Sequence, residues 1–200
     1  MSAATPGTAK QLMTADQFWE FVHRPENRDR DFELLRGEVI EMSRPTQQHG
    51  AVAALAAFEL QLYARVARNG YVVTNDSGVE LGANAESVLG PDVAYFTAAT
   101  AFNDIHPKWG VVPPVLAVEV ASPSDRPGRT NAKVREYLTG GVKLVWLIDY
   151  EERNVTVFRP NTALELVREG GELTGGDDLP GLCVKVADLF RVPAERPQSA

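Results

Sequence analysis

Hydrophobic residues recur along this chain with two different periods, one typical of strands and one typical of helices. Short apolar runs, many of them rich in β-branched residues, predict strands at 32–35, 38–42, 71–74, 79–81, 93–96, 115–121, 143–150 and 155–158. Apolar residues at helical spacing predict helices at 15–22, 50–66 and 131–138. Shorter strands and a last helical turn are predicted at 164–167, 172–173 and 184–190. The pattern therefore alternates between strand and helix along most of the chain.

This order of elements predicts an α/β (α+β) fold in which helices pack on a mixed sheet. The chain of 200 residues is 44% hydrophobic, which is enough for one domain with a sizeable core. We predict a disordered leader over 1–12, a single domain over 13–192 and a flexible tail over 193–200. The polar, small residues of the leader and the absence of any dividing linker are the basis of these boundaries.

Composition narrows the functional classes. The single cysteine, Cys183, excludes an internal disulfide and is predicted to be a small core residue. No apolar run has the length of a signal peptide or a membrane span, which predicts a soluble, cytoplasmic protein without a membrane partner. The formal net charge of −7 argues against general polyanion binding, because nonspecific affinity for nucleic acid comes mostly from lysine and arginine.

Candidate chemistry is concentrated between residues 91 and 149. Asp92 precedes one predicted strand and Glu119 lies within another, where an unpaired carboxylate would cost several kcal/mol (about 2–7 for a lone polar group and more for a charge). Lys133 lies at the border of the buried face of the third helix. Two carboxylates can hold Mg²⁺, and a lysine beside them can orient water or stabilise charge on a phosphate, which suits phosphodiester hydrolysis. Three unrelated structural residues are the alternative.

Other polar residues leave more than one interpretation open. Glu33 and Glu38 flank the predicted turn at 36–37 and can be solvent-facing hairpin carboxylates. His49, at the start of the long helix, can be a surface or capping residue. Lys133 can instead be a solvated residue paired with Glu136 or Asp125.

The motifs that follow resemble the Uma-type family of bacterial restriction endonucleases, within the PD-(D/E)XK phosphodiesterase superfamily. The resemblance spans Met13 to Phe190 and includes Met13-Thr14, Phe32-Glu33-Leu34, Gly37-Glu38, His49-Gly50, Pro91-Asp92-Val93-Ala94, Glu119-Val120, Ser122-Pro123-Ser124-Asp125, Lys133, Glu136-Tyr137-Leu138 and Val145-Trp146-Leu147-Ile148-Asp149. It implies a restriction-endonuclease-like sheet flanked by helices, with extra N-terminal and C-terminal β-hairpins. It also implies a Mg²⁺-dependent endonuclease, with Mn²⁺ as a substitute metal, that hydrolyses DNA as a homodimer.

The resemblance assigns a role to each site residue. Asp92 and Glu119 would be metal carboxylates, and the carbonyl of Val120 a further metal ligand. The superfamily places a lysine two residues after the glutamate, but this chain has Ala121 there, so Lys133 would supply that lysine from the following helix. Glu38 would be the assisting carboxylate, and His49 would position water or substrate.

Two functional classes remain at this point. The chain is predicted to be a metal-dependent DNA endonuclease, because a binding module has no need for buried charges that destabilise it. A catalytically silent nuclease fold that binds nucleic acid or a protein is the alternative, favoured by the acidic net charge. The irregular stretch at 97–114, with Phe102 and Trp109, is the candidate dimer contact.

Overall fold

The computed structural model describes residues 12–82, 86–97, 101–121 and 127–191. The described helices are α1 (Ala15–Val22), α2 (Gln47–Ala67) and α3 (Pro127–Thr139). The described strands are β1 (Phe32–Leu35), β2 (Glu38–Glu41), β3 (Tyr71–Thr74), β4 (Val79–Leu81), β5 (Ser87–Leu89), β6 (Val93–Phe96), β7 (Leu116–Ala121), β8 (Leu144–Asp149), β9 (Asn154–Phe158), β10 (Glu165–Arg168), β11 (Glu172–Gly175) and β12 (Leu179–Lys185). Short 3₁₀ turns lie at Pro25–Asn27, Phe102–Asp104 and Val186–Phe190.

A mixed six-stranded sheet, in the order β10-β9-β8-β7-β6-β3, forms the centre of the fold. Strands β7 and β8 are parallel, and each of the other neighbouring pairs in this sheet is antiparallel. Parallel neighbours need a crossover connection, and α3 lies in that connection between β7 and β8. The predicted hairpin of β8 and β9 is confirmed. Lys133, in the second turn of α3, contacts Glu119, which places this part of the helix near the end of β7.

The two faces of the main sheet are covered differently. On one face, α2 buries Val52, Ala56, Leu60 and Ala64 at helical spacing against residues of β6, β7 and β8. On the other face, Val134 and Tyr137 of α3 pack with residues of β4, β6 and β7. The predicted mixed α+β fold with helices on the sheet is thus confirmed. Although α2 is long and apolar enough to cross a membrane, one side of it lies against this sheet.

A second, four-stranded sheet in the order β2-β1-β5-β4 lies on the α3 side. The N-terminal hairpin of β1 and β2 is present as predicted, but β5 was missed. Its three residues, Ser87 to Leu89, are all buried and show no alternation of polar and apolar side chains, so the strand period is absent. Pairing with β5 makes β1 a central strand, which determines the burial of Glu33.

Several sequence-based predictions need correction or lie beyond the described residues. Helix α3 begins at Pro127, four residues before its predicted start, because proline is well suited to a first helical turn. Cys183 is exposed rather than buried, since it lies on an outward position of β12 in the C-terminal hairpin of β11 and β12. The predicted tail, the predicted leader apart from Leu12, and the Ser122–Asp125 motif lie outside the described residues.

Candidate active site

Two carboxylates meet where β6 begins and β7 ends. Strands β6 and β7 are antiparallel, with Val93 opposite Val118, so Asp92 lies beside Glu119. Alternation of side chains places both on the face of the sheet that α3 covers, while Val118 and Val120 face α2. The backbone N–H of Val120 donates a 2.7 Å hydrogen bond to Oδ2 of Asp92. This bond fixes the Asp92 carboxylate at the end of β7.

Lys133 reaches this pair from α3. Its Nζ lies 2.9 Å from Oε2 of Glu119 and 2.9 Å from Oε1 of Glu33 on β1. The lysine is buried, with 7% of its surface exposed. The structure therefore brings Lys133 into direct contact with Glu119. The alternative pairing of Lys133 with Glu136 is wrong, because Glu136 pairs with Arg36. The other alternative partner, Asp125, lies outside the described residues.

Glu33 is the site residue that sequence reasoning did not select. It is 4% exposed, and its Oε1 also accepts a 3.0 Å hydrogen bond from the backbone N–H of Gly90. Its Oε2 is buried and has no hydrogen-bond partner among the described residues. The available signal was a glutamate beside Leu34 within an apolar run, but the hairpin alone does not reveal that β5 covers it.

Glu38, the predicted assisting carboxylate, is placed elsewhere. It pairs with Leu35 next to the Arg36-Gly37 turn, is exposed, and does not line the cleft described below. Glu33, opposite Ile40 in the same hairpin, lies at the site instead. The reason is the position of Glu38 along the hairpin. Its partner Leu35 lies two residues after Glu33 on β1, a distance of about 6.6 Å.

His49 lies in the first turn of α2, close to the carboxylate pair. Its Nε2 is 3.3 Å from Oδ1 of Asp92, and both side chains are mostly buried. The backbone N–H of His49 donates to Oγ1 of Thr46, the N-cap residue of α2. The cap thus fixes the start of the helix that presents the imidazole to Asp92.

These groups form the floor of a cleft of about 340 Å³. The cleft is lined by residues of the β2–α2 connection, the β3–β4 turn and the start of α3, together with the site residues. Two exposed arginines, Arg44 and Arg129, lie among the lining residues on different elements. An acidic floor with cationic side chains in its walls suits a substrate that carries phosphate groups.

The floor has more negative than positive charge. Burial raises the pKa of Glu119 above its usual range; Lys133 opposes this shift, and the Asp92 and Glu33 carboxylates add to it. Burial alone would lower the pKa of Lys133, but Glu119 and Glu33 raise it above its usual value, so the lysine stays charged. At the cleft wall, burial and the nearby Asp92 raise the pKa of Asp76 to about 6. One ammonium serves several carboxylates, so a further cation is favoured.

The donor set fits a hard divalent cation of the Mg²⁺ type. The described residues contain no ready group of three or more His, Cys, Asp or Glu side chains around one point. Mg²⁺, however, needs only one or two carboxylates and keeps several waters. Asp92 and Glu119 supply two. Each carboxylate oxygen has two lone pairs, so the hydrogen bonds from Val120, Tyr137 and Lys133 leave acceptor capacity. The negative surplus of the floor would be reduced by such an ion.

Comparison with known proteins gives three findings. Residues 18–187 match the model of a family described as "Uma2: Putative restriction endonuclease". A crystal structure described as "a putative nuclease belonging to DUF820 from Anabaena variabilis ATCC 29413" superposes with a TM-score of 0.75. At 20% identity over 89% of this chain and 97% of that one, it shows a shared fold. No curated protein is similar enough in sequence to count as a relative.

Proposed function

The chain belongs to the Uma2 family of restriction-endonuclease-like proteins, and from this premise we propose that it is a Mg²⁺-dependent endonuclease that hydrolyses DNA phosphodiester bonds. The observation that carries the proposal is the convergence of Asp92, Glu119 and Lys133 from three separate elements in one cleft. Burying charges in this way costs stability, and a role in the reaction accounts for their presence here. Cytoplasmic location is part of the same proposal.

Each residue of the floor receives a role. Asp92, Glu119 and the Val120 carbonyl would hold Mg²⁺, or Mn²⁺ in its place, which polarises a phosphoryl oxygen and favours ionisation of water when bound. Lys133 holds a positive charge beside Glu119, where it can stabilise negative charge that develops on the phosphate. Glu33 would hold Lys133 in place as a second ion-pair partner. His49, next to Asp92, would position substrate or water.

The cleft arginines are proposed to bind phosphate groups of the DNA backbone. Replacing Arg44 or Arg129 by glutamine is expected to weaken DNA binding similarly for all sequences and to reduce the slope of log K against log salt by about 1 for each phosphate that is no longer neutralised. The measurement is fluorescence anisotropy of a labelled duplex at several salt concentrations, with Ca²⁺ in place of Mg²⁺. Arg168→Gln, an exposed arginine on the edge strand β10, is the matched control. An unchanged slope in both cleft variants would contradict the assignment.

The activity itself is tested on supercoiled plasmid and on single-stranded DNA, each with Mg²⁺, Mn²⁺ or chelator. We expect the parent protein to cleave with either metal and to be inactive with chelator. An Asp92→Ala preparation, purified in the same way, controls for contaminating nucleases. Absence of cleavage by the parent in every condition would reject the proposal, and DNA binding without cleavage would favour a catalytically silent module.

A second copy of the chain is the proposed protein partner, because cutting both strands of a duplex needs two active sites and a C₂ dimer is the commonest way to supply them. The 97–114 stretch offers Phe102, which is 85% exposed, together with the exposed Val111 and Val112. Trp109 is less available than the sequence suggested, because its ring packs against Phe18 and Trp19 of α1.

A further inference from the structure

Most buried polar side chains in the described part of this protein lie in one region. Among the described residues, the buried polar and charged side chains are those of Asn27, Glu33, Ser87, Lys133 and Glu136. All except Asn27 lie where α3 meets the four-stranded sheet. Glu33 and Lys133 belong to the floor of the cleft, whereas Glu136 and Ser87 do not line it. The buried charge of Glu136, one helical turn from Lys133, therefore needs a separate explanation.

Both carboxylate oxygens of Glu136 accept hydrogen bonds from residues of the four-stranded sheet and its β1–β2 turn. Its Oε2 accepts a 2.8 Å hydrogen bond from Nε of Arg36, and its Oε1 accepts a 2.7 Å bond from Oγ of Ser87. The same Ser87 Oγ accepts a 2.9 Å bond from the backbone N–H of Arg36. We name this group, Arg36, Ser87 and Glu136, the latch. It ties the last turn of α3 to the turn between β1 and β2 and to β5.

The latch and the site both join α3 to β1 and the turn after it. From β1 and its turn, Glu33 and Arg36 extend to α3, and from α3, Lys133 and Glu136 extend back, so that each acid meets a base. The partners are three residues apart on each element. Because residues at i and i+3 of a helix are neighbours on its surface, a Glu136 side chain released from Arg36 can compete for the Lys133 ammonium.

We propose that the latch is a positioning device for the reaction: Arg36 and Ser87 hold Glu136 away from Lys133, and so keep the Lys133 ammonium between Glu119 and Glu33. The inference rests on the proposed function and assigns Arg36 as a positioning residue outside the cleft. Burial of the acid does not by itself favour stability, because desolvation of the Glu136 carboxylate offsets much of its attraction to Arg36. Geometric specificity is the role left for the pair.

The backbone at Arg36 supports this role. Arg36 has a φ of +51°, in the left-handed region that non-glycine residues seldom adopt, and Gly37 follows with a φ of +78°. Asparagine or glycine would suit this turn position better than arginine. An arginine here gains nothing from the turn itself. Its side chain, which is 60% exposed, contributes the bond to Glu136.

The test uses substitutions that spare the turn. Arg36→Asn removes the guanidinium but tolerates the left-handed conformation, and the second variant is Arg36→Asn/Glu136→Gln, in which the competing charge is also removed. Arg153→Asn is the matched control: Arg153 has a φ of +49°, pairs with Glu169, and does not line the cleft. Thermal unfolding of each variant tests whether it is folded.

Kinetics on plasmid DNA provide the first measurement. Arg36→Asn is expected to lower kcat on the order of 10²-fold, with little change in KM, because displacement of a reacting group by about 1 Å has an effect of this size. The double variant is expected to recover most of the loss, and Arg153→Asn to match the parent. A role in stability alone predicts that the double variant is no better than Arg36→Asn, and that result would overturn the proposal.

A second measurement does not depend on activity. The chain has few lysines, namely Lys10, Lys108, Lys133, Lys143 and Lys185, so the ¹⁵N signal of a protected Lys133 ammonium can be assigned by its loss in Lys133→Arg. We expect this signal to shift or vanish through fast exchange in Arg36→Asn and to return in the double variant. If the parent cleaves no DNA, the proposed function fails while this signal still tests the latch. A signal unchanged in Arg36→Asn would overturn the latch even in an active enzyme.

Discussion

Replacing Lys133 by alanine is expected to lower the rate of DNA cleavage by about 10²–10³-fold while metal binding remains largely intact. The reason is the placement of its ammonium, 2.9 Å from Glu119 in a buried floor, where a positive charge acts with little screening by water. Lys133→Arg is expected to restore little activity. The planar guanidinium has a different shape from the compact ammonium, and the site has both Glu33 and Glu119 fitted around the latter.

The alanine variant needs a control for folding, because it leaves two buried carboxylates without their cation. Breaking a buried ion pair in this way typically costs about 3–5 kcal/mol. The Lys133→Ala/Glu33→Gln variant removes one stranded charge and separates loss of catalysis from loss of fold, with Glu33→Gln alone as its reference. Initial rates on plasmid DNA provide the measurement. Cleavage by Lys133→Ala at the parental rate, beside an inactive Asp92→Ala protein, would show that the lysine takes no part in the reaction.

Addition of Mg²⁺ or Mn²⁺ is expected to raise the melting temperature of the parent protein. Binding to the native state alone contributes about 2.7 kcal/mol when the metal is at a hundred times its Kd. For a domain of this size, each kcal/mol corresponds to roughly 2–4 °C. Asp92→Ala and Glu119→Ala should each abolish the rise, because each removes one of the two carboxylate ligands. Calorimetry with and without metal decides this, and a parent that melts independently of metal would contradict the assigned site.

The same site predicts a dependence on pH in the absence of metal. The pKa of Glu119 is raised in the folded state, so the native protein binds this proton more tightly than the unfolded chain does. Stability contributed by this group therefore falls as pH rises above its usual pKa of 4.5. Glu119→Gln cannot titrate, and its stability relative to the parent should increase from pH about 5 to pH about 8. The pKa of Lys133 is raised from an already high value, so the lysine stays charged throughout and adds no slope.

A flat difference between Glu119→Gln and the parent across this pH range, measured by urea unfolding with chelator present, would indicate that the Glu119 pKa is not raised. Asp76 shifts in the same direction, to a pKa of about 6, but it is present in both proteins and cancels. The comparison thus isolates the buried carboxylate of β7.

Local sequence determined much of the scaffold and part of the site. The helix at 15–22 and the strands at 71–74, 79–81 and 93–96 have the predicted boundaries, because their periodicity or capping residues depend only on near neighbours. The sequence predicts that Asp92 and Glu119 belong to one site, because each is a carboxylate next to or within an otherwise apolar strand. Lys133 could be placed near them because it borders the buried face of a helix that follows β7.

Tertiary structure alone decided which of the remaining charges reach the site. Glu33 and Glu38 lie in one hairpin and look alike in sequence, yet only Glu33 is buried. The difference is made by β5, whose Val88 pairs with Leu34 from more than fifty positions away along the chain. Glu136 likewise joins Arg36 rather than Lys133 because β5 brings Ser87 to its other oxygen. Contacts between residues so far apart do not change the hydrophobic pattern of either segment. Which glutamate is buried therefore depends on the pairing of strands in the assembled sheet, and the sequence of the hairpin does not reveal it.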